Sequence, residues 1–192
     1  MGNIEAVPTS TLYGYIANKK WDKAIERART HPLDTVYRYS ASDEEFDMSP
    51  LHLACHVDAP ALLICALIRA NPESVSYLTT NGFTPLHIAI WRNASIDIVR
   101  TFLELAPGCL YKVGSDRGDD QIVVPSPIHL ACGKKDPQWD TVELMIRWDP
   151  NIAALQSSVD ECTPFHYGKY PITLKFFGST KYSLEKFQIS QL

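Results

Sequence analysis

No stretch of this chain stays apolar long enough to span a bilayer. The best run breaks at Arg69, short of the roughly 20 residues a spanning helix needs. No leader is visible, because Met1 to Val7 contains Glu5 and no basic head before an apolar run. Met1-Gly2-Asn3 opens like a myristoylation site, yet Ala6 stands where serine or threonine is wanted. Basic charge is scarce: 18 lysines and arginines against 22 acidic residues leave a net charge of −4, the wrong sign for a nucleic-acid backbone. A disulfide framework is missing too. Five cysteines are an odd count without framework spacing, which fits a reducing, intracellular setting, cytoplasmic or nuclear. Absent as well are a phosphate-cradling glycine loop, a Gly-x-Ser-x-Gly elbow and a shaped pair of carboxylates. These absences predict no enzyme, no cofactor, and no nucleic acid, membrane or small-molecule substrate as partner.

What the chain has is a phrase that recurs four times. It reads Ser49-Pro50-Leu51-His52, Thr84-Pro85-Leu86-His87, Ser126-Pro127-Ile128-His129 and Thr163-Pro164-Phe165-His166. Three copies continue with an apolar residue and alanine; the fourth continues Tyr167-Gly168. A recurring phrase predicts stacked units, because each unit cannot bury its apolar face alone. The hydroxyl suits a helix N-cap, where its oxygen accepts from a backbone N–H lacking an intrahelical partner. Proline suits the first helical position, where no N–H is needed and φ is already helical. A histidine fixed in every copy predicts a repeated polar bridge between layers, since a buried imidazole must satisfy both nitrogens.

Further prolines at 72, 107 and 150 follow the first three phrase prolines by 22, 22 and 23 residues. That interval holds two helices and a turn, with proline stopping the second helix. The same offset counted back from Pro32 places a first unit's hydroxyl at Thr9. The wording and spacing resemble the ankyrin repeat, with its T-P-L-H-x-A phrase. The units are irregular, with phrase prolines 35, 42 and 37 residues apart, and the family's glycine between the two helices is absent. The resemblance implies a mainly α fold: an ankyrin-repeat solenoid of stacked helix-turn-helix units joined by β-hairpin-like fingers. The expected division is a tail at 1–8, an array at 9–168 and a divergent tail at 169–192. The array divides into units at 9–46, 47–81, 82–123 and 124–160, with a partial unit at 161–168.

Helices are expected near 50–56, 60–70, 85–91, 95–105, 127–133 and 137–148. Ala61 to Ala70 is apolar nearly all round, which predicts burial between neighbours. Asn81-Gly82 predicts a tight primed turn. The longer connectors read as hairpins, one from Val36 to Tyr39 and another from Leu110 to Val113 returning through Val123-Val124. Their tips carry Asp43, Glu44, Glu45 and Asp47, and Asp116, Asp119 and Asp120. Such charge either keeps exposed tips soluble or meets a partner protein with a basic patch. A short candidate helix around Ser183 to Gln191 leaves two readings open: a cap over the array, or a poorly ordered tail that leaves its apolar edge exposed.

One constellation has metal-ligand chemistry: His52, Cys55 and His56 share a helix face at i, i+3 and i+4. The competing reading makes His52 a repeat histidine and Cys55 a small buried residue, and no fourth ligand is evident. The three Asp residues at 116, 119 and 120 lack calcium-loop spacing. The resemblance implies that partners are held on a concave face made of fingertips and first helices. Carried onto this chain, the candidate partner-binding residues are Met48, Phe83, Thr80, Asn81, His56, Trp91, Arg92 and Lys134. Phe83, Trp91 and Arg92 stand out, being hot-spot types in the middle of the array. The alternative for Trp91 is packing on the next unit, as expected of Trp139 and Trp148. The function so predicted is a non-catalytic adaptor, scaffold or inhibitor. The alternatives are a structural module of a larger assembly and a metal-binding enzyme using His52, Cys55 and His56.

Overall fold

The computed structural model describes residues 11–38, 47–112, 114–115, 123–157 and 161–167. The fold is mainly helical. Helices α1 (Leu12–Ala17) and α2 (Trp21–Thr30) form a first pair, α3 (Pro50–His56) and α4 (Ala61–Ala70) a second. A third is α5 (Pro85–Trp91) with α6 (Ile96–Leu105), and a fourth is α7 (Pro127–Gly133) with α8 (Trp139–Trp148). A short α9 (Pro164–Tyr167) follows. The first helices of successive pairs pack on each other in an inner row, α1 on α3, α3 on α5, α5 on α7 and α7 on α9. The second helices form an outer row, α2 on α4, α4 on α6 and α6 on α8.

The core lies between the rows. Leu51, Leu63, Ile64, Leu67, Leu86, Ile88, Ile98, Phe102 and Leu103 are fully buried. Apolar residues at Ile98, Val99, Phe102 and Leu103 follow the i, i+1, i+4, i+5 spacing of one helix face, which α6 turns inward. On α4 that inward face is complete, but Leu62 is 59% exposed and Cys65 half-buried. Burial of the whole helix is therefore not what forms: neighbours cover α4 on the core side, and its outer stripe meets water.

Prolines 32, 72, 107 and 150 each begin a 3₁₀ turn two residues after an outer helix ends. The intervening residues, His31, Asn71, Ala106 and Asp149, are extended, with φ from −133° to −149°. The proline ring drives the residue before it out of the α region. These turns replace the first part of the expected hairpin arms. Leu110 and Tyr111 lie in the turn Pro107–Tyr111, and among the described residues strand pairing joins Gly114 to Val124 and Ser115 to Val123. Val36 closes the turn at Pro32, and Tyr39 lies outside the described residues. The acidic residues at 43–45, 116, 119 and 120, and the candidate helix at 183–191, also lie outside them.

Asn81-Gly82 does not make a two-residue primed turn. Gly82 alone has positive φ, at 77°. Its N–H donates to Thr79 O (3.0 Å), and the Thr79 N–H donates to Phe83 O (2.9 Å). That is a three-residue loop ending in left-handed glycine. Glu161 takes the equivalent place before the fourth phrase, with φ 58°.

Candidate partner-binding surface

The recurring phrase builds a joint between units. Ser49 and Thr84 are N-caps, each hydroxyl accepting from the histidine N–H three residues on (3.4 Å). The histidine completes the box. Nδ1 of His52 accepts from the Ser49 N–H (3.3 Å) and lies 2.8 Å from the Ser49 hydroxyl. His87 does the same to Thr84, at 3.2 and 2.7 Å. In a capping box this place belongs to Glu or Gln; here an imidazole fills it and keeps a second nitrogen free to reach outward. Nε2 donates across to the next unit: His52 to Phe83 O (3.0 Å), His87 to Pro125 O (2.9 Å), His129 to Cys162 O (3.1 Å). A carbonyl only accepts, so His52 and His87 are neutral with the proton on Nε2. Burial lowers both pKa values from 6.5 to about 4, opposed in part by those carbonyls. Ser126 keeps its contact with His129 (2.7 Å) without capping α7. In the first unit Thr11 is the cap, accepting from the Gly14 N–H (3.1 Å); the expected Thr9 lies outside the described residues.

The turns after the inner helices show where the missing glycine went. Lys19, Asp58 and Asn93 have φ of 55°, 52° and 57°. In each turn the next residue's N–H reaches back five residues: Lys20 to Tyr15, Ala59 to Ala54, Ala94 to Ala89. That is the Schellman end, whose left-handed residue is usually glycine. After α7 the turn differs. Lys134 is extended (φ −67°, ψ 151°), and one residue more separates α7 from α8 than α5 from α6. This is the source of the 23-residue interval in that unit.

Cations cross between units at these helix ends. The Arg92 Nε donates to His56 O, the last carbonyl of α3 (3.2 Å). The Lys134 ammonium donates to Ile90 O (2.8 Å) and Trp91 O (3.1 Å) at the end of α5, and to the Asn93 side chain. Cations are favourable there because the terminal carbonyls carry partial negative charge. Arg92 and Lys134 each stand seven residues after a phrase proline, a spacing visible in the sequence though not the role it serves. The Asp58 carboxylate adds a third bridge, accepting from the Ser95 N–H (2.9 Å).

The candidate residues thus divide. His56, Trp91, Arg92 and Lys134 come together. Trp91 is 47% exposed, its ring centroid 6.5 Å from His56 and 6.0 Å from the Arg92 guanidinium. Its ring stands against His56 of the preceding unit. Phe83, Thr80 and Asn81 sit at the opposite end of α5, about 10 Å along its axis, with Pro85 to Ile90 buried between. Met48 is buried at 8% exposure and offers little surface. Lys134 is half-buried with its ammonium already held by the protein's own acceptors, so it fastens units together. Trp139 is half-buried against the core, whereas Trp148 remains 43% exposed.

The metal alternative fails on geometry. Both His52 nitrogens are engaged, and burial pushes the Cys55 thiol far above its usual range. Among the described residues no group of three or more His, Cys, Asp or Glu is placed to hold a metal ion. No described helix is long and apolar enough to cross a membrane. No curated protein matches this chain. Residues 81–109 match the family model of the ankyrin repeat, so the loop through Phe83, α5, α6 and the start of the Pro107 turn are similar to one ankyrin repeat.

Proposed function

We propose that the chain is a non-catalytic protein-binding module, a solenoid of ankyrin units over residues 9–168 that holds a partner protein at its inner-helix edge. Ankyrin repeats are in general protein-interaction modules, which supports the class. One observation carries the site: Trp91 is half-exposed in the middle of the inner row and braced by His56 and Arg92, while the rest of α5 is buried. A braced aromatic loses little side-chain freedom on binding, and Trp and Arg are the residues most enriched at interface hot spots. Arg92 spends Nε on the α3 end and keeps its terminal nitrogens for a carboxylate or carbonyl of the partner. Phe83, Thr80 and Asn81 form a second contact at the finger end of α5. The setting proposed is cytoplasmic or nuclear.

The test is affinity capture from native extract with wild type beside the Trp91→Ala, Arg92→Ala double variant, after circular dichroism shows equal helix content. A partner held by wild type should weaken by about 2 kcal/mol or more, roughly 30-fold, in the variant. Unchanged affinity would sink the site. If the acidic residues at 43–45, 116, 119 and 120 meet a basic patch, binding will weaken with salt; indifference to salt removes them from the interface. If neither protein captures anything, a structural module within a larger assembly becomes the better reading.

A further inference from the structure

The outer row carries a feature that the inner edge does not explain. Between α2 and α4 lies an open groove of about 270 Å³, with Ala28 and Ala66 among its lining, Pro32 and Leu62 beside them, and Arg29 and Arg69 also on it. Both arginines are exposed, and neither pairs with a carboxylate among the described residues. Leu62 is 59% exposed, and Leu33, next after Pro32, is 76% exposed. The groove is smaller than the roughly 300–1,000 Å³ of small-molecule sites. It takes a side chain or two from something larger.

The other outer helices show what this place holds when it is only a solvated face. Counted back from the following proline, Leu62, Cys65, Ala66 and Arg69 of α4 correspond to Asp97, Arg100, Thr101 and Glu104 of α6, and to Asp140, Glu143, Leu144 and Arg147 of α8. Asp97, Glu104 and Asp140 are exposed. Only α4 puts an apolar residue at the first of these places, and its groove is lined by two arginines and no acidic residue. Exposed leucine over alanine, flanked by cations, is what an apolar side chain with acidic neighbours would meet.

We propose that the α2–α4 groove is a second docking site, taking an acidic amphipathic peptide segment of a partner protein. One leucine, isoleucine or phenylalanine seats against Leu62, Pro32 and Cys65, above the buried Ala28 and Ala66, and flanking Asp or Glu carboxylates pair with Arg29 and Arg69. The site is separate from the Trp91 edge and does not depend on it.

The probe is a displayed library of random dodecapeptides, selected on the full chain. Enriched peptides are then synthesised and titrated by fluorescence anisotropy. The expected peptides carry an apolar residue flanked by Asp or Glu. Their affinity should fall tenfold or more with Leu62→Ser and again with the pair Arg29→Glu, Arg69→Glu, at unchanged helix content, and should be kept by Trp91→Ala, Arg92→Ala. A peptide remade with Lys for its acidic residues should bind the arginine-reversed variant better than wild type. Binding that ignores Leu62 and both arginines overturns the proposal, as does enrichment of basic peptides or of none. Peptides lost only with Trp91 and Arg92 would support the inner edge and overturn the groove.

Discussion

The inner and outer rows solve the same stacking problem by different physics. Inner helices α3, α5 and α7 have 7 residues each, begin with proline and are almost wholly buried. Units meet there through directional polar groups of fixed number: histidine to carbonyl, arginine or lysine to a helix end, aspartate to an N–H. Outer helices α2, α4, α6 and α8 have 10 residues each and bury one face only. They meet through apolar packing, which is non-directional and leaves the far stripe unconstrained. A chain built this way can vary its outer stripe, and the exposed side chains at the ends of its inner helices, without touching the buried histidine joints. Both candidate surfaces lie in those two places.

The largest effect that would sharpen this contrast is acid sensitivity of the inner row. His52 and His87 have folded pKa values near 4, against 6.5 for an unperturbed histidine. Between those values the unfolded chain binds more protons, so stability is complete above pH 6.5 and falls as pH drops toward 4. The loss is on the order of 3 kcal/mol for each histidine. Urea titrations across that window check it; a flat profile would mean the joints are not buried and neutral.

Next in size is a paired substitution. His87→Ala strands the Pro125 carbonyl and the Thr84 N–H and should cost about 3 kcal/mol. Leu62→Ala on the outer stripe should stay within about 0.5 kcal/mol. Equal losses by denaturant unfolding would erase the distinction between rows.

Trp91→Ala is expected to cost about 1–2 kcal/mol, less than truncating a buried tryptophan, since about half the side chain is already in water. Smaller still are the left-handed turns. Lys19 and Glu161 hold positive φ, and among the described residues neither side chain hydrogen-bonds to another unit. Glycine there should stabilise by about 1 kcal/mol, seen as a raised Tm. Asp58→Gly should gain less or lose, because the Ser95 contact goes with the carboxylate.

Much of this was legible in the residues. The phrase marks where α3, α5, α7 and α9 begin, because hydroxyl and proline at a helix start act locally. The later prolines mark where every outer helix has ended for the same reason. The histidine bridge follows from an imidazole's need for two partners, although the identity of the acceptor depends on how units stack. Less legible were features that depend on neighbours. Nothing in Lys19 or Asp58 announces left-handed backbone; the helix end imposes it. Lys134 looked free for a partner because its acceptors lie on α5 and at Asn93, more than 40 residues away in sequence. Met48 looked exposed because its place in the repeat is exposed in principle, and packing decides otherwise. On α4 the apolar composition suggested burial, yet only a neighbouring element can bury a stripe, and among the described residues Leu62 on the outer side stays 59% exposed.

The central claim is that the recurring phrase is a joint, with a neutral histidine donating from Nε2 to the next unit. The most direct test follows the ring nitrogens of His52 and His87 by NMR in ¹⁵N-labelled protein, assigned with single histidine variants, from neutral pH downward. The account predicts that both stay in the Nε2–H tautomer and remain unprotonated until pH approaches 4. Titration near 6.5, or protons residing on Nδ1, would show that these histidines do not bridge the units.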